Sequence, residues 1–295
     1  MSNPLKVENE NVSISIKHRK PSRARFMILS LLFFGTAINY LDRTNMAVAA
    51  SAIQDDLGLD PAMLGLILSA FGWTYAFMQV PGGWLTDRFG PRVVYGISLL
   101  LFSLFTLLQG FAKNFGTLFG LRLGLGFAES PAFPANSRVV ASWFPQRERA
   151  LATGVYTAGE YVGLAIATPF LFWLLSSFGW HSIFIVTGII GLIFALVWYK
   201  FYKDPKDSRY INKEEMDYIR EGGGLADSAG QGQKINWSKA RHLFKHGQFW
   251  GIYIGQFAVA STFYFFLTWF PSYLVQEKGI TLLKAGFIGS IPYIA

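Results

Sequence analysis

The sequence predicts an all-α membrane protein, and three observations lead to this: its composition, a series of long apolar blocks, and the positions of its charges. Of the 295 residues, 52% are hydrophobic and only 15% are charged, whereas about a quarter of the residues in a soluble domain are charged. This balance excludes an ordinary soluble protein and a disordered chain. The chain has no cysteine, so disulfides, thiolate metal sites and cysteine nucleophiles are excluded as well.

The apolar blocks are long enough to cross a membrane, because a hydrocarbon core of ~30 Å takes about 20 helical residues. We expect helices near 26–53, 62–86, 93–112, 117–143, 150–176, 181–203 and 249–276. An eighth block begins at Leu282 and reaches Ala295 after 14 residues. We therefore interpret the chain as a fragment with about seven full spans and a truncated eighth.

Polar segments divide these spans into groups. The predicted parts are a basic tail (1–25), a six-helix bundle (26–203), a polar linker (204–248) and the start of a second bundle (249–295). Within the linker, Asn212 followed three positions on by Glu215 is a capping-box pattern, which predicts a short surface helix through Arg220. Two groups of spans joined by a long linker are typical of carriers.

The basic residues predict the orientation of the spans. The formal net charge is +8, which in a soluble chain would suggest a nucleic-acid partner. Here the basic residues lie in the tail, in alternate connections and in the linker, while the opposite connections hold Asp55, Asp56 and Asp60. Cytoplasmic segments carry the excess of Lys and Arg. We therefore expect a lipid bilayer rather than nucleic acid, with the amino terminus in the cytoplasm.

Four charged residues lie inside predicted spans, where such a group costs ~2.5–3.5 kcal/mol. They are Asp42 and Arg43 in the first span, and Arg122 and Glu129 in the fourth. Arg122 and Glu129 are two helical turns apart, about 10 Å along the axis, so we expect each to find partners on other helices.

The chemistry of these groups favours an anion site with a proton carrier. Arg43 can hold a carboxylate through two parallel N–H donors, and a carboxyl group such as Glu129 is costly to keep charged in a low-dielectric site. Tyr75 in the second span and Glu160 in the fifth reach the same level near the midplane. A polar network that only fixes helix packing is the alternative.

One loop resembles a known superfamily. After the second span the sequence reads Gly83-Trp-Leu-Thr-Asp87-Arg88-Phe-Gly90-Pro-Arg92, which resembles the signature loop of the major facilitator superfamily. The resemblance implies two six-helix bundles that rock about a central site, and a conformational latch formed by Gly83, Asp87, Arg88, Gly90 and Arg92.

Three further stretches, at 39–45, 128–134 and 255–271, resemble the anion:cation symporter family, whose bacterial members carry galactonate, glucarate and hexuronates. The resemblance is greatest to the galactonate carriers. It implies a proton-coupled symporter of the bacterial inner membrane that imports a sugar acid by alternating access and needs no cofactor. Nothing in the sequence indicates an oligomer, so a monomer is expected.

The resemblance also implies roles for single residues. Arg43 matches the arginine that binds the substrate carboxylate, and Asp42 and Glu129 match the carboxyl groups linked to proton coupling. Tyr75 and Gln256 match substrate-contacting positions. The remaining two are Arg122, which matches a supporting charge, and Glu160, a further substrate-binding candidate that stands where galactonate carriers tend to have glutamine.

Three alternatives to this function involve another substrate or another class of protein. The same mechanism can serve another organic anion, such as glucarate, a hexuronate or an aromatic acid, and a sensor built on a transporter fold would bind the ligand without uptake. A membrane enzyme is disfavoured because the buried charges include no nucleophile beside a base. His242 and His246 have no third ligand nearby in the sequence, so we predict no metal site.

Overall fold

The computed structural model describes residues 20–227, 242 and 244–293, and within them the regular structure is entirely helical. The helices are α1 (Ala24–Leu57), α2 (Pro61–Phe89), α3 (Pro91–Gln109), α4 (Phe115–Glu129), α5 (Ala132–Trp143), α6 (Arg149–Phe178), α7 (Trp180–Phe201), α8 (Lys213–Glu221), α9 (Gly247–Thr268), α10 (Phe270–Gln276) and α11 (Leu282–Ser290). In this part of the chain, six helices are long and apolar enough to cross a membrane, namely α1, α2, α3, α6, α7 and α9.

Local sequence explains where the helices begin and end. Asp60 starts α2 by accepting the Met63 backbone N–H at 2.7 Å, which satisfies one of the free donors at a helix amino terminus. The turn between α2 and α3 is made by Gly90, whose φ of +81° favours glycine. Pro91 then opens α3 at a position that needs no backbone N–H.

The predicted fourth span is two helices rather than one. α4 and α5, of 15 and 12 residues, are separated at Ser130 and Pro131, where the proline ring removes a backbone donor. Both residues keep right-handed helical dihedral angles, so the chain continues in nearly the same direction. Together the two helices provide about 40 Å of helix axis, which is enough to cross a bilayer.

The predicted span at 249–276 is also divided. α9 ends at Thr268 and α10 begins at Phe270, with Pro271 in its first turn. Trp269 lies between them and keeps right-handed helical dihedral angles. The prediction of one continuous helix was therefore wrong here, for the same reason as in the fourth span: proline lacks the N–H that would extend the ladder.

The first bundle is built from three close helix pairs, α1 with α6, α2 with α4 and α3 with α7, and α11 packs on α6. Two apolar clusters fill it. One includes Leu32, Val139, Trp143 and Trp198, at what we call the Arg25 end. The other includes Ile53, Leu118, Leu171 and Phe184, at what we call the Asp56 end. A layer of buried polar side chains lies between the two clusters, and the candidate site belongs to it.

The linker helix α8 forms where it was predicted, but Glu215 does not complete a capping box. The Asn212 side chain accepts the Glu215 N–H at 2.9 Å, as expected. The fully buried Glu215 carboxylate instead accepts from the Ala24 N–H at 3.0 Å and from the Arg25 side chain at 3.0 Å. Glu215 therefore caps the first membrane helix rather than its own.

The remaining contacts of this segment hold it against the Arg25 end of the bundle. Arg149 donates to the Gly223 carbonyl at 2.7 Å, and the Gln146 N–H donates to the Gly222 carbonyl at 2.8 Å. Arg220 forms an exposed pair with Asp227 at 2.7 Å, and its guanidinium lowers the pKa of that carboxyl group. Residues beyond Asp227 up to 241 lie outside the described part of the chain.

Candidate functional site

An ion pair between α1 and α4 lies at the centre of the polar layer. Arg43 Nε donates to Glu129 Oε1 at 2.8 Å. Glu129 is fully buried and Arg43 is only 8% exposed. The expectation that Glu129 finds its partner on another helix is met by this contact. A buried pair depends on both partners, because removing one leaves an uncompensated charge in a medium of low dielectric.

Aromatic rings surround the Arg43 guanidinium. Its central carbon lies 4.6 Å from the ring centroid of Tyr40, 4.6 Å from that of Tyr75 and 5.2 Å from that of Phe71. These distances suit cation–π attraction, worth ~0.5–2 kcal/mol each according to desolvation. The rings come from α1 and α2, so the guanidinium stays in place through contacts that do not involve Glu129.

Asp42, although next to Arg43 in sequence, points to a different set of partners. Its carboxylate accepts from Thr106 Oγ1 at 3.2 Å and from Asn45 Nδ2 at 3.3 Å. Asn45 also donates to Thr187 Oγ1 at 2.7 Å. Neighbouring residues on a helix point about 100° apart, and here that places Asp42 against α3 and α7. The two carboxyl groups predicted for proton coupling therefore occupy different surroundings.

Arg122 lies beside Phe71, one of the three rings that surround the Arg43 guanidinium. Its guanidinium carbon is 5.2 Å from the Phe71 ring centroid, so one ring contacts both arginines. The side chain is buried. Within the described residues, its Nε and Nη1 atoms have no hydrogen-bond partner. A buried guanidinium with free donors is suited to receive an acceptor.

The structure brings two of the three other predicted contact residues to this layer. Tyr75 stacks on Phe71 with ring centroids 5.2 Å apart, and Glu160 is buried on α6, close to the Tyr40 hydroxyl. Gln256 is different, because its side chain is exposed on α9. It contributes to none of the hydrogen bonds that join the residues around Arg43 in the described structure.

The residues predicted to form a latch lie far from this layer, at the Arg25 end. Asp87 and Arg88 are exposed, and the Arg88 guanidinium lies over the Trp84 ring at 5.3 Å. Arg92 donates to the Tyr199 carbonyl at 3.5 Å. A methyl group on Gly83 would lie 3.7 Å from the Pro134 side chain of α5. Arg92 thus joins α3 to α7, whereas the described contacts of Arg88 stay within α2.

Sequence reasoning missed three residues of the site. Tyr40 and Phe71 supply rings to Arg43, and Asn45 links Asp42 to α7. Helical spacing carried a signal for two of them, since Tyr40 is three positions before Arg43 and Asn45 three after Asp42. No pattern in the sequence pointed to Phe71, because its contact with the arginines depends on how α2 packs against α1 and α4.

Comparison with known proteins agrees with this architecture. The sequence profile of the Major Facilitator Superfamily matches residues 32–295. The D-galactonate transporter of Escherichia coli O6:H1 is 48% identical over 288 residues, which cover 96% of this chain and 67% of that protein. The probable galactarate/D-glucarate transporter GudP of Bacillus subtilis is 43% identical, covering 92% of this chain and 62% of that protein. The chain thus spans about two thirds of the length of these relatives.

Solved structures show the same fold. A bacterial homolog of the human lysosomal transporter Spinster, in an inward-facing and unoccupied conformation, superposes with a TM-score of 0.73 at 22% identity, covering 92% of this chain and 60% of that one. The xylose transporter XylE of E. coli superposes with a TM-score of 0.67 at 17% identity, covering 92% of this chain and 71% of that one. These relatives are transporters and not enzymes. The chain, as predicted from its signature loop, belongs to the major facilitator superfamily.

Proposed function

We propose that the protein is a proton-coupled symporter that imports a sugar acid anion, of the hexonate type represented by galactonate, across the cytoplasmic membrane of a bacterium. The observation that carries this proposal is the buried pair between Arg43 and Glu129. A substrate carboxylate has to compete with Glu129 for the same guanidinium, and the aromatic rings hold that guanidinium in position for either partner.

The coupling follows from electrostatics. When a substrate takes Arg43, the Glu129 carboxylate loses its partner in a site where an unpaired charge is strongly disfavoured. Binding a proton removes that charge, so substrate and proton load together. The doubly loaded and the empty carrier both have a balanced centre and can reorient, whereas the half-loaded carrier holds an uncompensated charge and is retained. Asp42, in its separate polar surroundings, is the second candidate proton carrier.

The remaining residues take supporting roles in this proposal. Tyr75, Glu160 and Gln256 contact the hydroxyl groups of the substrate, and Asp87 and Arg88 form the latch at the cytoplasmic surface. In this proposal the sequence consists of the first bundle at 26–203, the linker at 204–248 and the start of a second bundle at 249–295. The basic residues at the Arg25 end support a cytoplasmic location for that end.

A second candidate substrate class is the hexarates, which have two carboxylates. Arg122 favours this alternative, because its buried guanidinium has two donor atoms without partners in the described structure and lies against the same Phe71 ring as Arg43. Two arginines so placed suit a diacid. The relatives named as galactarate/D-glucarate transporters support this class, and the relative named as a D-galactonate transporter supports the hexonate class.

Uptake by proteoliposomes that hold the full-length protein tests the proposal. We expect uptake of labelled galactonate to rise with an inward proton gradient, and to be blocked by sugar acids but not by neutral galactose. The Glu129→Gln variant should lose gradient-driven uptake and keep exchange of labelled for unlabelled substrate. If neither galactonate nor glucarate is taken up or competes for binding, the sugar-acid assignment is wrong.

A further inference from the structure

Several buried polar atoms on α1 and on the helices packed against it have no hydrogen-bond partner in the described structure. Both the amide nitrogen and the amide oxygen of Asn39 lack a hydrogen bond in the described structure, as do Asn136 Oδ1 and the second Glu129 oxygen, Oε2, and the Tyr95 hydroxyl lies beside the Asn136 side chain. All four residues are fully buried. Buried polar groups in folded proteins are nearly always hydrogen-bonded to protein or to ordered water, so this group requires a partner.

The α1 residues that contact these groups lie on one face of the helix. Arg43, one turn beyond Asn39, pairs with Glu129. Thr36, three positions before Asn39, accepts from Asn136 Nδ2 at 3.3 Å. Gly35, one turn before Asn39, lies against Tyr95, such that a methyl group on Gly35 would be 2.5 Å from the Tyr95 hydroxyl oxygen. Residues three and four apart on a helix are neighbours, so Asn39 lies between the ion pair and the Tyr95–Asn136 group.

The hydrogen-bond donors and acceptors of these four residues can all be satisfied by a water molecule. Asn39 offers two N–H donors and an acceptor, Tyr95 offers a hydroxyl that can donate or accept, and the Asn136 and Glu129 oxygens accept. Buried water typically makes about three hydrogen bonds to groups that otherwise have none, whereas cavities that stay dry are apolar. Four helices, α1, α3, α4 and α5, supply these groups, which favours a fixed internal site over a surface contact.

We propose that Asn39, Tyr95 and Asn136 form a buried water site that hydrogen-bonds Oε2 of Glu129 and through which this carboxyl group exchanges its proton. The inference rests on the proton coupling proposed above. In one direction a hydronium proton passes from the bound water to Oε2 and leaves neutral water, and in the other the carboxyl group returns the proton to that water. Asn39 acts through the water and is a positioning residue rather than a catalytic one.

Charged and titratable groups on α1, α2, α3 and α4 lie near Glu129, and the question is which of them occupies its Oε2 atom. Those close enough to act on it electrostatically are Asp42 and Arg43 on α1, Tyr75 on α2, Tyr95 on α3 and Arg122 on α4. The hydrogen bond that Arg43 makes to the carboxylate goes to Oε1. A proton on Oε2 can therefore be present while Arg43 is turned to a substrate anion.

The test compares Asn39→Leu and Tyr95→Phe with a matched control, Ser142→Ala. Ser142 is buried on α5, and its hydroxyl donates to the Arg138 carbonyl within the same helix at 3.0 Å. Gradient-driven uptake and exchange of labelled for unlabelled galactonate are measured in parallel, because only the first requires net proton movement. We expect both test variants to lose about tenfold or more in gradient-driven uptake, as removal of a hydrogen bond to a charged group implies.

Exchange should stay within about twofold of wild type for these variants, since substrate binding does not use the site. Asn39→Ser, which keeps a polar group and leaves room for a second water, should restore part of the gradient-driven uptake. Parallel loss of uptake and exchange in Tyr95→Phe, which removes a single oxygen, would assign the group a purely structural role and overturn the inference. Unchanged uptake in both variants would overturn it equally.

A second readout does not depend on transport. In pH-difference infrared spectra, the carboxyl stretching band that disappears in Glu129→Gln is assigned to Glu129. Loss of the water should move this band to higher wavenumber in Asn39→Leu and leave it in place in Ser142→Ala. A band that does not move excludes the water site. Absence of gradient-driven uptake in the wild type, with the band shift present, would instead reject the proposed symport alone.

Discussion

At the scale of single residues, Arg43 is distinguished by having two kinds of partner. Glu129 neutralises its charge through one short hydrogen bond, while the rings of Tyr40, Phe71 and Tyr75 contact its guanidinium from other directions. A carboxylate can leave without releasing the guanidinium, because the aromatic contacts remain. This arrangement allows one anion to replace another at a fixed point, which is what the proposed coupling requires.

We expect Arg43→Lys to weaken binding of labelled galactonate by about tenfold to a hundredfold. Lysine keeps the charge but lacks the planar fork that holds a carboxylate through two N–H groups and stacks on aromatic rings. Equilibrium binding to purified protein measures the effect. The control is Arg209→Lys, at an exposed linker residue whose guanidinium donates to the hydroxyl of its neighbour Tyr210 at 2.9 Å. Equal binding by Arg43→Lys and wild type would contradict the assigned role of Arg43.

At the scale of elements, the close approach of α2 and α4 positions the aromatic shell. A methyl group on Gly126 of α4 would collide with the Phe71 carbonyl and with the Thr74 hydroxyl of α2. Thr74 in turn donates to the Leu123 carbonyl at 2.8 Å, which fastens the two helices together. Small residues allow such contact between membrane helices. Phe71, which touches both arginines, is set by this contact.

Gly126→Ala should therefore lower thermal stability by about 1–3 kcal/mol, because the added carbon forces α2 and α4 apart. It should also weaken galactonate binding, since Phe71 moves with α2. Thermal unfolding in detergent and equilibrium binding check the two effects. Gly120→Ala is the matched control on the same helix, where an added methyl group meets no atom within 4 Å. If the two variants unfold at the same temperature, the close approach of α2 and α4 does not determine stability at Gly126.

A second element contact joins the linker to the first membrane helix. Glu215 of α8 accepts hydrogen bonds from the backbone of Ala24 and Arg25 and from the side chains of Ser22 and Arg25. A carboxylate at a helix amino terminus meets free N–H groups and the positive end of the helix dipole. The linker helix thus stabilises the start of α1 even though it lies nearly two hundred positions away in sequence.

We expect Glu215→Ala to lower the free energy of unfolding by about 2 kcal/mol, because it removes a cap and the hydrogen bonds to Arg25, which keeps its pair with Glu148 at 3.2 Å. Glu214→Ala is the control, since Glu214 lies in the same first turn of α8 but remains partly exposed. Denaturation in detergent compares the two. A larger loss for Glu214→Ala than for Glu215→Ala would show that the cap contributes little.

At the scale of the whole molecule, the Asp56 end is closed by helices of the second group. Leu274 of α10 and Ala285 of α11 belong to the same apolar cluster as Ile53 of α1 and Leu171 of α6. The Gln276 amide donates to the Ser51 hydroxyl at 3.1 Å. Alternating access requires such a contact between bundles to break once in each cycle.

A cross-link between positions 51 and 276 should therefore stop transport. The chain has no cysteine of its own, so Ser51→Cys with Gln276→Cys gives a unique pair for a short bifunctional thiol reagent. We expect cross-linked protein to lose galactonate uptake and to regain it after reduction, while each single variant treated in the same way stays active. Full uptake by the cross-linked protein would show that this contact does not open.

The sequence by itself determined the membrane class, the superfamily and most of the charged residues of the site. A long apolar run can bury only in lipid or in a helical core, and a charge inside such a run is too costly to lack a reason. Asp42, Arg43 and Glu129 were therefore visible without coordinates. The breaks at Pro131 and Pro271 were not predicted, because proline lowers the probability of a helix without fixing its end.

Tertiary structure alone decided which of these charges meet. The pairing of Arg43 with Glu129, rather than of Asp42 with Arg43, depends on the rotation of α1 against α4, and no pattern within one helix contains that angle. The ring of Phe71, the proposed water site near Asn39 and the capping of α1 by Glu215 depend likewise on helices brought together from distant parts of the chain. Periodicity identifies the buried face of a helix, but the neighbour on that face is chosen by packing.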